Sequence, residues 1–220
     1  VGALTSSRPQ QPNFDRIARA YQWMEYLSLG PMLERVRWYH LDRGRLADCK
    51  QALVLGDGDG RFTQRLLQRN RQSRVAAVDL SGAMLDLLNR RCRQDRSRLT
   101  THRADAQQFV PEFRPDLVVT HFFLDCLTEE QVAALVRRLK PQLSPDCLWL
   151  VSEFRIPHGV LRLPVQMWVA SLYLAFRILT GLRVAHLPDH ATALRACGFE
   201  MVAEQRFMGG VLTTQLWKSG

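Results

Sequence analysis

Lysine is scarce in this chain of 220 residues: Lys50, Lys140 and Lys218 are the only ones among 30 basic residues. The net charge of +9 and the pI near 9.9 are therefore properties of arginine. A bias of that kind arises from genomic base composition as readily as from selection for phosphate binding, so a nucleic-acid partner is not the preferred reading. A solvated basic surface, compatible with peripheral attraction to an anionic membrane, is preferred. CxxC pairs are absent: Cys49, Cys92, Cys126, Cys147 and Cys197 are scattered and odd in number, which argues against a zinc site or a disulfide framework. No metal ligands are expected, and Cys126 reads as a small buried residue before it reads as a nucleophile. A charged start followed by an apolar run and a small-residue cleavage site is also missing, which favours the cytoplasm. An uninterrupted membrane span is lacking too. The most apolar stretch, 165–182, is broken by Gln166, Ser171 and Arg177, whereas a span needs about 20 largely apolar residues.

What the chain does have is Gly56-Asp57-Gly58-Asp59-Gly60 directly after the apolar run Ala52-Leu53-Val54-Leu55. This reads as a strand ending in a turn that opens a helix. Glycines are needed where φ is positive or where a Cβ would collide with a ligand, and the helix start offers unpaired N–H groups. A second apolar run, Val75-Ala76-Ala77-Val78, ends in Asp79. A carboxylate there can accept both hydroxyls of a ribose, so strand, glycine turn, helix, strand and acid make up the grammar of a nucleoside-binding α/β half. The position that would complete GxGxxG is Arg61, which counts against a dinucleotide pyrophosphate and for a nucleoside without phosphates.

At these residues the sequence resembles the class I S-adenosylmethionine-dependent methyltransferases. The resemblance continues through Ala104-Asp105-Ala106, similar to the adenine-site turn, and Pro115 to Asp125, similar to the fourth-strand motif bordering the methyl group. It extends to a closing hairpin made of Phe199 to Phe207 and Val211 to Trp217. It implies S-adenosylmethionine as cofactor and S-adenosylhomocysteine as product. It also implies Gly56, Asp57, Gly58 and Gly60 at the cofactor's amino-acid end, Asp79 and Leu80 at the ribose, Asp105 and Ala106 at the adenine, and Phe122 walling the methyl region. One position departs from the pattern: the family's acid two residues before the first glycine is Val54 here, leaving Asp57 or Asp59 as the acids that could take over part of its role. The front segment Asn13 to Tyr21 is similar to the opening helix of the quinone-biosynthesis C-methyltransferase group, which implies that Tyr21, and Phe14 with it, closes the pocket. The same Phe14, Ile17, Ala18, Tyr21 spacing equally describes a helix that simply docks.

The candidate catalytic residues are His121, Asp125 and Tyr21. His121 lies at the carboxyl end of the fourth strand, where a base would meet an acceptor. Asp125, behind Phe122-Phe123-Leu124, would orient His121 or a substrate amine. Asp125 equally fits as a cap of the helix that starts near Thr128, for which Thr128-Glu129-Glu130-Gln131 offers a competing capping box of its own. Glu153 and Arg155 follow the fifth strand as polar candidates for a substrate head, and Tyr26, Tyr39 and His40 are unranked candidates from the front helices.

The expected architecture is an α/β Rossmann-like, doubly wound seven-stranded sheet, mostly parallel, with a C-terminal antiparallel hairpin. Residues 1–12 read as a flexible lead-in and 13–220 as one methyltransferase domain, with front cap helices over 13–48 and an apolar lid over 157–190. The apolar lid suggests a small or lipophilic acceptor. Rival readings are an RNA methyltransferase, a nicotinamide-dependent oxidoreductase and a non-catalytic adenosylmethionine-binding protein.

Overall fold

The computed structural model describes residues 30–156, 167 and 187–220. The front segment before residue 30 and nearly all of the 157–186 stretch lie outside the described residues. The elements follow the chain as α1 (Gly30–Asp42), β1 (Gln51–Leu55), α2 (Arg61–Arg69), β2 (Arg74–Asp79), α3 (Gly82–Arg91), β3 (Leu99–Arg103), β4 (Leu117–His121), α4 (Glu129–Leu139), β5 (Leu148–Phe154), α5 (His190–Ala196), β6 (Phe199–Phe207) and β7 (Leu212–Ser219).

Seven strands form one sheet in the order β3-β2-β1-β4-β5-β7-β6. The first five pair in parallel, and β7 runs antiparallel between β5 and β6. The Rossmann-like sheet and its closing hairpin are thus as expected. Central strands of a parallel sheet are buried on both faces and read as continuous apolar runs, as β1, β2 and β4 do here.

Alternation along the strands sends side chains to two separate cores. Ala52, Val54, Leu117 and Val119 meet Phe62, Leu66 and Leu67 of α2 on one face. Leu53, Leu55, Val118, Trp149 and Val151 meet Val132, Leu135, Val136 and Leu139 of α4 on the other. Trp149 is fully buried and still pairs its indole N–H, which donates to Thr120 Oγ1 at 3.1 Å. Local chemistry sets the helix starts. Thr128 and Gln131 form the capping box of α4 in both directions, and Ser81 Oγ accepts from Met84 N at the start of α3. Reversal of strand order between β1 and β4 opens the sheet at its carboxyl edge, where open α/β sheets take their ligands.

Candidate functional site

The turn after β1 uses its three glycines for three different purposes. All have positive φ: 67° at Gly56, 61° at Gly58 and 80° at Gly60. A Cβ at Gly56 would lie 2.4 Å from Cδ2 of Phe123, and one at Gly60 would lie 2.9 Å from the Cα of Leu88. Those two glycines let the loop pack against β4's exit and against α3. A Cβ at Gly58 would meet nothing within 4 Å, so this glycine keeps a space clear instead of relieving a protein contact.

The two aspartates of the turn serve the loop. Asp57 Oδ2 accepts the backbone N–H of Thr63 at 2.9 Å, capping α2, whose N-cap residue Gly60 has no side chain to do so. Burial pushes the Asp57 carboxyl up to about 6, against the pull of the Thr63 bonds and of Arg37. Asp59 is clamped by Arg61 Nε at 2.9 Å and Arg91 at 2.7 Å, tying the turn to α3. Val54, where the family's acid would stand, is 1% exposed and packs in the α2-side core.

Asp79 ends β2 next to β1's exit, and its Oδ1 accepts the N–H of Ser81 at 2.8 Å, which orients the carboxylate. Leu80 is half-buried beside it, its carbonyl accepting from Arg103 Nε at 3.4 Å. Asp105 folds its own turn: Oδ1 accepts from Gln107 N at 2.8 Å. Arg138 of α4 donates to the carbonyls of Ala106, at 2.7 Å, and Phe109, so a guanidinium locks this turn onto α4. The spacing signal pointed to Asp105 but gave no hint of Arg138, which lies 32 residues beyond Ala106 in sequence.

The exit of β4 differs from expectation. His121 follows Leu117 and Val119 in the strand's alternation and stands edge-on to the fully buried Phe62 of α2, with ring centroids 4.5 Å apart. It is 4% exposed, neither ring nitrogen has a partner, and burial, with help from Arg37 and His40, holds its pKa well below the ordinary imidazole value. An accessible general base at the strand's end is therefore not what the geometry provides. Phe122, at φ 51°, turns away from the glycine loop: its ring packs near Phe154 at 5.2 Å and under the Arg37 guanidinium, in a cluster with Leu33, Val36 and Leu212. The next residue, Phe123, is the aromatic that covers Gly56.

Behind Phe123 lies an acid pair. Glu153 of β5 is 2% exposed, and its Oε1 accepts the N–H groups of Phe123 at 3.2 Å and Leu124 at 2.9 Å, while Oε2 has no partner. Burial, and then the nearby Asp125 carboxylate, raise Glu153 well above the usual carboxylate range; burial likewise raises Asp125 to about 6. Cys126 Sγ donates to Asp125 Oδ1 at 3.5 Å, and burial among these acids pushes the thiol up. Tyr21, Phe14 and Tyr26 lie outside the described residues. Tyr39 and His40 face the hairpin, bonding Gln205 at 2.7 Å and the Thr214 carbonyl at 3.4 Å. A surface cleft of about 620 Å³ between α1 and β6, lined by Trp38, Tyr39 and Phe207 among others, includes no residue of the glycine turn. Among the described residues no His, Cys, Asp and Glu grouping could hold a metal, and no helix is long and apolar enough to cross a membrane.

Comparison with known proteins agrees with this geometry. Residues 52–146 match the family model described as a methyltransferase domain. The matched stretch holds the glycine turn, Asp79 and Asp105, so this part of the chain is similar to a methyltransferase domain. Its fold is similar to that of the N-methyltransferase NodS from Bradyrhizobium japonicum WM9 in complex with S-adenosyl-L-homocysteine, with a TM-score of 0.64 at 17% identity over 86% of this chain and 88% of that one. It is also similar to an O-methyltransferase family protein from Burkholderia thailandensis, with a TM-score of 0.71 at 17% identity over 97% of this chain and 65% of that one. The mitomycin 7-O-methyltransferase MmcR gives a TM-score of 0.69 at 14% identity over 94% and 60%. The chain thus spans under two thirds of the length of these two O-methyltransferases. No curated protein matches the sequence significantly.

Proposed function

We propose that the methyl group goes to a small, largely apolar acceptor, and that the cofactor lies across the carboxyl ends of β1, β2 and β4. In this reading its amino-acid end lies over Gly56–Gly60, its ribose hydroxyls donate to Asp79, and its adenine lies beside Asp105 and Ala106. The observation that carries the placement is Gly58, a glycine kept in left-handed backbone with open space where its Cβ would be, one strand away from an oriented acid at the end of β2. Such a cradle suits a ligand that approaches backbone closely.

When bound, the cofactor supplies an electrophilic methyl on a sulfonium, and methyl transfer leaves a neutral thioether. The chain's contribution is orientation and exclusion of water, which can supply most of the acceleration. Phe123 roofs the turn at Gly56. His121 supports the floor of this edge from the α2-side core and does not exchange a proton with the acceptor. The acceptor class draws on the mitomycin in the name of one structural neighbour and on the apolar 165–182 stretch, nearly all of which lies outside the described residues. An RNA acceptor is less favoured because Arg61, Arg65, Arg69, Arg91 and Arg98 are engaged with acids of the chain itself.

Calorimetric titration with S-adenosylhomocysteine tests the placement. The natural protein is expected to bind it, and Asp79→Ala to bind about tenfold or more weakly, as loss of hydrogen bonds to a charged acceptor implies. Equal binding by Asp79→Ala would remove the ribose assignment.

A further inference from the structure

We propose that Glu153 is the positioning residue of the methyl-transfer edge: as a neutral acid it ties the β4 exit to β5 and thereby holds the Phe123 ring over the glycine turn. The proposal rests on the reading of that turn as the cofactor site.

The geometry is specific. β4 ends at His121, and the chain must then leave the sheet, with Phe122 forced to φ 51°, a conformation disfavoured by about 1–2 kcal/mol for a residue with a Cβ. Backbone N–H groups tie that exit to β5. Phe122 N donates to the Ser152 carbonyl at 2.7 Å, and Phe123 N and Leu124 N both donate to one oxygen of Glu153. The last two N–H groups would otherwise be orphans at the start of a short helical turn, Leu124–Cys126. A loop held in this way fixes the direction of Phe123, whose ring edge occupies the space beside Gly56.

The neutral state follows from the surroundings. Among the described residues, the ionisable groups that face Glu153 are Asp125 and Cys126 from the β4 exit, with Asp79 beyond Cys126. None of these is a cation available to Glu153. A carboxylate at this depth would carry an uncompensated charge beside a second acid, a cost that protonation removes. The second oxygen, Oε2, is buried without a partner, a burden that a strut built only for stability would not need.

The test uses the full chain with two substitutions, Glu153→Gln and Glu153→Ala, each checked for fold by circular dichroism. Amide hydrogen exchange at Phe123 and Leu124 is measured without ligand, and S-adenosylhomocysteine affinity is then measured by calorimetry. Glu153→Gln keeps an acceptor and no charge. It is expected to retain protection at both amides and to bind within about threefold of the natural protein, whereas Glu153→Ala loses about tenfold or more in both readouts. Loss of protection in Glu153→Gln equal to that in Glu153→Ala would show that the charge does the holding and overturn the proposal. Full protection or unaltered affinity in Glu153→Ala would overturn it as well. Should the natural protein bind no S-adenosylhomocysteine while the exchange pattern holds, the strut stands and the reading of the cofactor site fails.

Discussion

Single residues divide the glycine turn into parts that answer differently to the same substitution. Gly60→Ala drives a methyl into Leu88 backbone and is expected to destabilise the fold by about 1–3 kcal/mol from overpacking, beyond the cost of its φ. Gly58→Ala meets no protein atom, so urea denaturation should report only about 1–2 kcal/mol while calorimetry reports loss of S-adenosylhomocysteine binding. If Gly58→Ala bound normally, the open space at Gly58 would not be the cofactor's. The turn, Asp79 and Asp105 were legible in the sequence because strand length and acid spacing put them at strand ends. The choice between Phe122 and Phe123 was not, because the left-handed Phe122 breaks the strand's alternation and swaps which ring looks at the glycines. Glu153 was visible only as an acid after a strand. Its bonds to Phe123 and Leu124 span about thirty positions, beyond what local pattern encodes.

Elements show the same division between local and distant information. The α4 capping box could be read directly from Thr128 and Gln131, because all of its atoms lie within four residues. The end of α2 could not. Asn70 stops that helix and binds the 46–49 loop, its amide nitrogen facing the carbonyls of Leu46, Ala47 and Cys49 at 2.7–3.0 Å while its oxygen accepts from Gln72 N and Ser73 N. The loop that carries the chain from α1 into β1 therefore depends on one buried amide. Thermal and urea unfolding should find Thr128→Ala about 1 kcal/mol less stable than the natural protein. Asn70→Ala should cost about 3 kcal/mol or more, since it strands several buried backbone groups at once. A smaller loss at Asn70 than at Thr128 would mean that water replaces the amide.

Across the whole molecule, two sets of buried ionisable groups pull stability in opposite directions with pH. Burial lowers His40 to about 4 and His121 well below 6.5, so the unfolded chain binds protons first; their contribution is present above about pH 6.5 and is lost as pH falls toward 4. Burial raises Asp57 and Asp125 to about 6, so the folded state holds protons longer; their contribution is present below about pH 4 and is lost as pH rises through 6. Urea titrations between pH 4 and 8 should therefore show His40→Gln losing less stability than the natural protein on acidification. Asp125→Asn should lose less on the way to neutral pH; parallel curves for all three proteins would contradict the assignment. The hairpin has a consequence for biosynthesis. β7 lies between β5 and β6, and Ser219 N and Gly220 N donate to the carbonyls of Cys147 and Gly198. While the ribosome is still making residues 190–211, β5 therefore has an unpaired edge and β6 has no neighbour to join. The antiparallel edge of the sheet can therefore be completed only when β7 inserts between them.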